Sequence, residues 1–174
     1  MTWIQTYTGR KFDLLDPQPD MIVLEDIAHH LSMQCRFNGA CREFYSVAQH
    51  SVHVAELLPP ELQAHGLLHD AAEAYIGDMV RPLKRLLPTF ADVERNILAA
   101  IGRRFEIGLL SVAKLAAVKA ADNTMLATEA RDLMADSPDD WGLTAEPRES
   151  VVIPWTSNGA SLIFLATAWQ LGIR

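Results

Sequence analysis

From about residue 20 to its end, the chain spaces its apolar residues as helices do, and no segment there alternates apolar and polar residues over a useful length. Leu24, Ile27 and Leu31 share one face of the first such segment, and Ser46 is expected to cap the second. The pattern predicts a mostly α-helical fold. The predicted helices are 24–32, 47–58, 61–76, a short piece between Pro82 and Pro88, 90–105, 111–134 and 157–171, and 136–155 is expected to be a surface loop.

The first sixteen residues have a different character. Residues 2–16 carry β-branched and aromatic side chains around a central Thr-Gly pair, which predicts a short β-hairpin. Two strands alone are marginally stable, so we expect this hairpin to pack on another element. The predicted fold class is therefore all-α with a short N-terminal β-hairpin, in one domain that spans 1–174.

Composition restricts the partners and the compartment. The formal net charge of −7 argues against binding of a nucleic-acid polymer, whose phosphates attract basic surfaces. The longest apolar run is too short to span a bilayer, and the N-terminus lacks the apolar core of a signal peptide. Cys35 and Cys41 form neither a disulfide framework nor a zinc-binding pattern. We therefore expect a cytoplasmic protein that does not associate with membranes.

One dipeptide in the middle of the chain, His69-Asp70, is polar in apolar surroundings and is expected to bind another group. His69 and Asp70 lie within the apolar stretch LLHDAAEAYIGD, where burying an imidazole beside a carboxylate is costly unless something compensates for lost hydration. Two further segments offer polar groups in apolar surroundings. His50 lies in the helix predicted for 47–58, and Asp122 lies beside Ala120 and Ala121 in the helix predicted for 111–134.

Two imidazoles and two carboxylates from three helices are a suitable ligand set for one divalent metal ion. Nitrogen and oxygen ligands together favour Mn, Fe, Co, Ni or Zn over Ca or Mg. Four protein ligands around a six-coordinate ion leave two positions open, which is typical of a catalytic site. A buried histidine–aspartate ion pair is the simpler alternative for the dipeptide alone. The predicted metal ligands are His50, His69, Asp70 and Asp122.

The order His50, His69-Asp70, Asp122 resembles the H…HD…D pattern of the HD-domain metal-dependent phosphohydrolases. The chain is most similar to the small single-domain branch that acts on deoxynucleotides, such as bacterial 5′-deoxynucleotidases and phage dATP triphosphohydrolases. The resemblance implies an HD-domain-like helical bundle. The resemblance includes three further motifs. In HD-x-x-E-x(4)-D, the glutamate is Glu73 and the last aspartate is Asp78. An arginine–aromatic pair, Arg36-Phe37, precedes the first histidine, and a Pro-x-Lys motif, Pro82-x-Lys84, follows the site.

The resemblance also implies a reaction and its residues. A phosphohydrolase of this kind cleaves the 5′ phosphate ester of a deoxynucleotide by direct attack of water. We assign Glu73 to orienting or deprotonating the water and Asp78 to protonating the 5′ oxygen, and the reverse assignment stays open. The remaining candidates are expected to contact substrate: Arg36, Lys84 and His53 at the phosphate, and Phe37 by stacking on the base or sugar.

Several alternatives stay open at this stage. The substrate can be a deoxynucleoside monophosphate, which we favour, or a triphosphate of the dATP type. A regulatory nucleotide-binding module without catalysis is a second class, but such a module has no use for Glu73 and Asp78. The last of the six histidines is His69, so the chain lacks the later histidines that two-metal relatives need. One ion and a homo-oligomer are the expectations that the resemblance implies.

Overall fold

The computed structural model describes residues 1–139 and 141–174, and it is mostly helical with one two-stranded antiparallel hairpin, as predicted. Within this part of the chain, every helix is too short or too polar to cross a bilayer. The elements are β1 (Trp3–Gln5), β2 (Lys11–Asp13), α1 (Leu24–Met33), α2 (Val47–Glu56), α3 (Pro60–Leu68), α4 (Glu73–Ile76), α5 (Arg81–Lys84), α6 (Pro88–Arg104), α7 (Val112–Leu133) and α8 (Ser157–Gln170), with 3₁₀ turns at Pro19–Met21 and Arg36–Gly39.

The hairpin is held to the first helix by a buried carboxylate. Asp26 of α1 is fully buried and accepts hydrogen bonds from the backbone N–H and the hydroxyl of Thr8, at 2.7 and 3.0 Å. Gly9 completes the turn with a φ of 82°, a conformation that glycine adopts without strain. The Phe12 ring of β2 stacks on Tyr75 at a centroid distance of 3.8 Å. The expectation that the hairpin packs on another element is confirmed.

Helix capping follows the sequence closely. The Ser46 hydroxyl accepts from the backbone N–H of Gln49 and starts α2, as predicted. The Ser111 and Thr156 hydroxyls cap α7 and α8 in the same way. The main core lies between α1, α2 and α8, where α8 contributes the buried Ala160 and Phe164. The described residues of 136–155 form neither helix nor strand, in agreement with the predicted loop.

The prediction of one continuous helix over 61–76 is wrong. The helix α3 ends at Leu68, and hydrogen bonds between residues three apart carry the chain through 69–72 into the short α4. The physical reason lies in the His69 side chain. Its Nδ1 donates to the Gly66 carbonyl at 2.7 Å, the group that would accept the Asp70 N–H in a regular α-helix. His69 therefore follows one helix, and Glu73 begins the next.

Candidate metal centre

Two histidines and an aspartate from three separate segments meet in the interior. His50 lies on α2, His69 directly follows α3, and Asp122 lies midway along α7. The Asp122 Oδ1 atom is 3.4 Å from His50 Nε2 and 4.0 Å from His69 Nε2. One potential ligand atom from each residue lies within 4.8 Å of the other two. These separations allow the three atoms to share one metal ion.

Each of the two histidines turns Nε2 toward this centre because its other ring nitrogen is held. His50 Nδ1 lies 2.6 Å from Glu129 Oε1, and His69 Nδ1 lies 2.7 Å from the Gly66 carbonyl oxygen. In the neutral ring, an acceptor at Nδ1 keeps the proton there and leaves the Nε2 lone pair available. Among the described residues, neither buried Nε2 atom has a hydrogen-bond partner of acceptable geometry, and the oxygens that they face are carboxylate oxygens 3.1 to 4.0 Å away. Buried polar atoms are rarely unpaired, so these two suit metal ligands.

Asp70, the fourth predicted ligand, lies beside this triad. Its Oδ2 atom is 3.1 Å from His69 Nε2 and 3.6 Å from His50 Nε2. Burial would raise the pKa of this carboxyl, but His69 and then His50 outweigh burial and lower it. Asp70 is therefore ionised at neutral pH, as a metal ligand must be.

Asp122 divides its two oxygens between different tasks. Oδ1 faces the histidines, whereas Oδ2 accepts from Arg81 Nη2 at 2.8 Å and from Lys119 Nζ at 2.6 Å. Burial opposes ionisation, but the close contact and charge of His50, the charge of His69 and the hydrogen bond from Lys119 lower the pKa of Asp122. Neither Arg81 nor Lys119 was predicted to lie at the site, since an arginine or lysine on a helix is usually solvated.

Glu129 is the residue that sequence reasoning missed most clearly. It lies on α7, about two turns after Asp122, and its side chain is fully buried. Besides His50 Nδ1, it binds the Tyr45 hydroxyl at 2.8 Å and Arg36 Nε at 3.0 Å. A carboxylate behind a metal-binding histidine fixes the orientation of the ring and increases its basicity. A glutamate in an apolar part of α7 was the only sequence signal.

The surroundings of His50 favour its protonated form in the protein without an ion. Burial and the Arg36 charge lower the pKa of His50, but Glu129 and Asp122 outweigh both and raise it to about 9. Binding of a cation by Nε2 would therefore release a proton from His50 and leave Asp122 a positive partner, while Glu129 stays bound to Nδ1.

Glu73, a predicted proton handler, is buried at the start of α4. Its Oε1 accepts from Lys84 Nζ at 3.0 Å, while Oε2 has no partner among the described residues. Burial, with Asp70 and Asp78 nearby, raises the pKa of Glu73 to about 9 despite the Lys84 charge. Lys84 also contacts Glu94 at 2.8 Å, so its ammonium group binds two carboxyl groups rather than projecting freely.

Asp78, the second proton handler, follows α4 and is positioned by Gln34. The Asp78 N–H donates to Gln34 Oε1 at 3.0 Å, and Gln34 Nε2 donates to the Glu73 carbonyl at 2.9 Å. One amide from the end of α1 therefore ties together the backbone at both predicted proton handlers. Burial raises the pKa of Asp78, although the Arg36 charge opposes it.

The candidate substrate contacts Arg36 and Phe37 lie in a tight turn. Arg36 is buried, with its Nη2 3.0 Å from Glu129 Oε2 and its Nη1 3.9 Å from Asp70. Phe37 has a φ of 55°, a left-handed conformation that a bulky residue rarely adopts and that often marks a functional site. Its ring lies 5.9 Å from Trp141 and only part of it is buried.

His53, the remaining candidate, makes its side-chain contacts with residues outside the triad. Its Nδ1 pairs with Glu56 at 2.8 Å, and its ring lies 5.0 Å from Trp155. Gln49 connects it to the loop before α8, because Gln49 Nε2 contacts His53 Nε2 at 3.3 Å and the Ile153 carbonyl at 2.8 Å.

The fold and the site define a class: a mostly helical protein with a buried His–His–Asp cluster that can hold a metal ion. The chain belongs to the family of the uncharacterized protein YfdR of Escherichia coli (strain K12), with 45% identity over 141 residues, 81% of this chain and 78% of YfdR. An uncharacterized protein of Rhodobacter capsulatus is 37% identical over 142 residues, 75% of this chain and 72% of that protein. No protein-family model matches the chain.

Proposed function

We propose that this protein is a metal-dependent phosphohydrolase of the HD-domain class, which cleaves the 5′ phosphate ester of a deoxynucleotide. The observation that carries the proposal is the pair of buried Nε2 atoms of His50 and His69, which face Asp122 while acceptors hold both Nδ1 atoms. Asp70 completes the proposed ligand set, and its Oδ2 atom lies 3.1 Å from His69 Nε2. This donor set suits a divalent transition metal.

A bound ion supplies Lewis-acid polarisation of a phosphate oxygen. The chain supplies the proton transfers. Glu73 orients the attacking water and takes its proton, and Asp78 protonates the departing 5′ oxygen. Glu73 is buried and Asp78 half-buried, and burial raises the pKa of both carboxyls, so each holds a proton at higher pH than an exposed carboxyl does. A cation bound beside them would lower the pKa of Glu73 again and so favour the ionised form that accepts a proton. Gln34 keeps their backbones at a fixed separation.

The first substrate to test is a deoxynucleoside monophosphate, which would give a deoxynucleoside and phosphate. Release of triphosphate from a dATP-like nucleotide is the second candidate, and the two exposed cations at Asp122, Arg81 and Lys119, favour it. Incubation of metal-loaded protein with dAMP and with dATP, followed by separation of the products, distinguishes the two reactions. A homo-oligomer and a single ion per chain remain part of the proposal.

The test of catalysis is Glu73→Gln, which keeps the side-chain volume and removes the carboxylate. We expect the variant to keep its metal and to lose about 10²–10⁴-fold in turnover, the usual contribution of a general acid or base. Glu61→Gln, on the exposed first turn of α3, is the matched control and should keep full activity. Full activity in Glu73→Gln, or none in the metal-loaded wild type with either nucleotide, contradicts the proposal.

A further inference from the structure

The tripeptide Asn-Gly-Ala occurs twice in the chain, at 38–40 and at 158–160. An asparagine before a glycine can lose its side-chain amide without an enzyme, when the glycine backbone nitrogen attacks the asparagine Cγ atom. Glycine permits this attack best because it has no Cβ to hinder the approach. Asn38 and Asn158 are both exposed, and in the described part of the chain neither side chain has a hydrogen-bond partner. A difference between the two sites must therefore come from the backbone around them.

The backbone at Asn38 forms a short left-handed turn. Phe37, Asn38 and Gly39 follow one another with φ values of 55°, 54° and 80°. Residues other than glycine are strained in this region, and a bulky residue rarely adopts it. The turn is closed by the Ala40 N–H, which donates to the Phe37 carbonyl at 3.1 Å, and a Cβ added at Gly39 would meet no atom within 4 Å. A short, strained and open turn of this kind unfolds locally at low cost in free energy.

The backbone at Asn158 is held in the first turn of α8. The Thr156 hydroxyl caps this helix and accepts from the Gly159 N–H at 3.1 Å, so the nitrogen that would attack is already bound. The next residue, Ala160, is fully buried in the main core. Attack on the side chain requires rotation of the Asn158 backbone, and here that rotation breaks the cap and the first helical hydrogen bonds.

We propose that Asn38 is a site of spontaneous deamidation in the folded protein, whereas Asn158 is protected. The Gly39 nitrogen gives up its proton and bonds to Asn38 Cγ, the Cγ–Nδ2 bond breaks, and ammonia leaves with that proton. Water then opens the succinimide ring. Opening at Cγ gives aspartate, and opening at the main-chain carbonyl gives isoaspartate, in which the backbone runs through Cγ. In total, one water molecule is consumed and one ammonia is released.

The product carries a carboxylate that the original turn lacks. Aspartate or isoaspartate at position 38 is ionised at neutral pH, one residue from Phe37 and two residues from Arg36. Isoaspartate also lengthens the backbone by one methylene inside the turn, so the bond from Ala40 to the Phe37 carbonyl can no longer close the same ring. The modification therefore changes the turn that carries two proposed substrate contacts, but the inference itself does not depend on the proposed function.

Peptide mapping by mass spectrometry measures both sites in one sample. The full-length protein is incubated at mildly alkaline pH, which favours loss of the backbone N–H proton, once in its folded state and once in concentrated urea. In the folded protein, we expect Asn38 to convert at least about tenfold faster than Asn158. In urea, the two rates should agree to within about threefold, because both asparagines then belong to the same unfolded tripeptide.

Two variants test the reason for the difference. Thr156→Ala releases the Gly159 N–H, so the rate at Asn158 in the folded protein should rise at least about threefold while the rate at Asn38 stays unchanged. Asn38→Gln lengthens the side chain, disfavours ring closure and should leave the first site unmodified. Circular dichroism shows that each variant is folded.

Two results would overturn the inference. One is an intact Asn38 in the folded protein over a period in which both sites convert in urea. The other is equal conversion of Asn38 and Asn158 in the folded protein. An unchanged rate at Asn158 in folded Thr156→Ala would refute the protective role given to the cap.

Discussion

Replacement of Glu129 by alanine should be among the most destabilising single changes in this chain. The side chain is fully buried and is the acceptor for His50 Nδ1, the Tyr45 hydroxyl and Arg36 Nε. Removing one partner of a buried ion pair costs about 3–5 kcal/mol, because the remaining charge is left uncompensated. Since Arg36 keeps a longer contact to Asp70, we expect the lower half of that range, about 3–4 kcal/mol.

Urea titration of protein stripped of metal measures this cost. Glu129→Gln keeps the volume and one acceptor oxygen, so it should lose about 1–3 kcal/mol and stay folded for comparison. Glu56→Ala is the control, because that carboxylate pairs with His53 while its side chain is 55% exposed, and it should cost less than about 1 kcal/mol. If Glu129→Ala costs no more than Glu56→Ala, the buried network does not carry the stability assigned to it.

Three further outcomes are expected. Gln34→Ala should lower turnover with little change in metal content, since it releases the backbone at Glu73 and Asp78, and unchanged turnover would argue against this positioning role. Relative to wild type, Asp78→Asn should lose far less activity on p-nitrophenyl phosphate than on a nucleotide, since the p-nitrophenolate leaving group needs no proton. Equal losses of activity on both substrates would assign the acid role to another residue. In metal-free protein, Glu73 stays protonated in the folded state between its ordinary pKa of 4.5 and its raised pKa of about 9, whereas in the unfolded chain it ionises. The free energy of unfolding should therefore fall as pH rises through this range, and it should fall less in Glu73→Gln. An equal pH dependence of the unfolding free energy in both proteins would contradict the raised pKa.

The sequence predicted the elements well where the signal was local. Ser46 capped its helix, the Thr-Gly pair turned the hairpin, and apolar spacing located every longer helix to within a few residues. The break after Leu68 was not predictable in this way, because it depends on the His69 side chain taking the Gly66 carbonyl. Helix propensity and hydrophobic periodicity do not indicate when a side chain competes with a backbone N–H for a carbonyl oxygen.

At the candidate site, too, the residues with a local sequence signal were predicted and those that depend on long-range contacts were not. His50, His69 and Asp122 were found from polar residues in apolar surroundings, and the structure brings them together. Glu129 gave only a weak signal, a glutamate in an apolar part of its helix. Its role arises only when Tyr45 and Arg36, which are 84 and 93 positions away in the sequence, reach it. Long-range ion pairs of this kind are determined by packing rather than by any local pattern.

The decisive measurement for the metal site is the metal content of purified wild-type protein and of Asp122→Asn, determined by elemental analysis. We expect close to one divalent transition metal ion per wild-type chain after loading. We expect a large loss in Asp122→Asn, because this change keeps the shape of the side chain but weakens its oxygen as a ligand. Wild-type protein that binds no ion after incubation with Mn, Fe, Co, Ni and Zn, or equal metal content in Asp122→Asn, would contradict the proposed metal site.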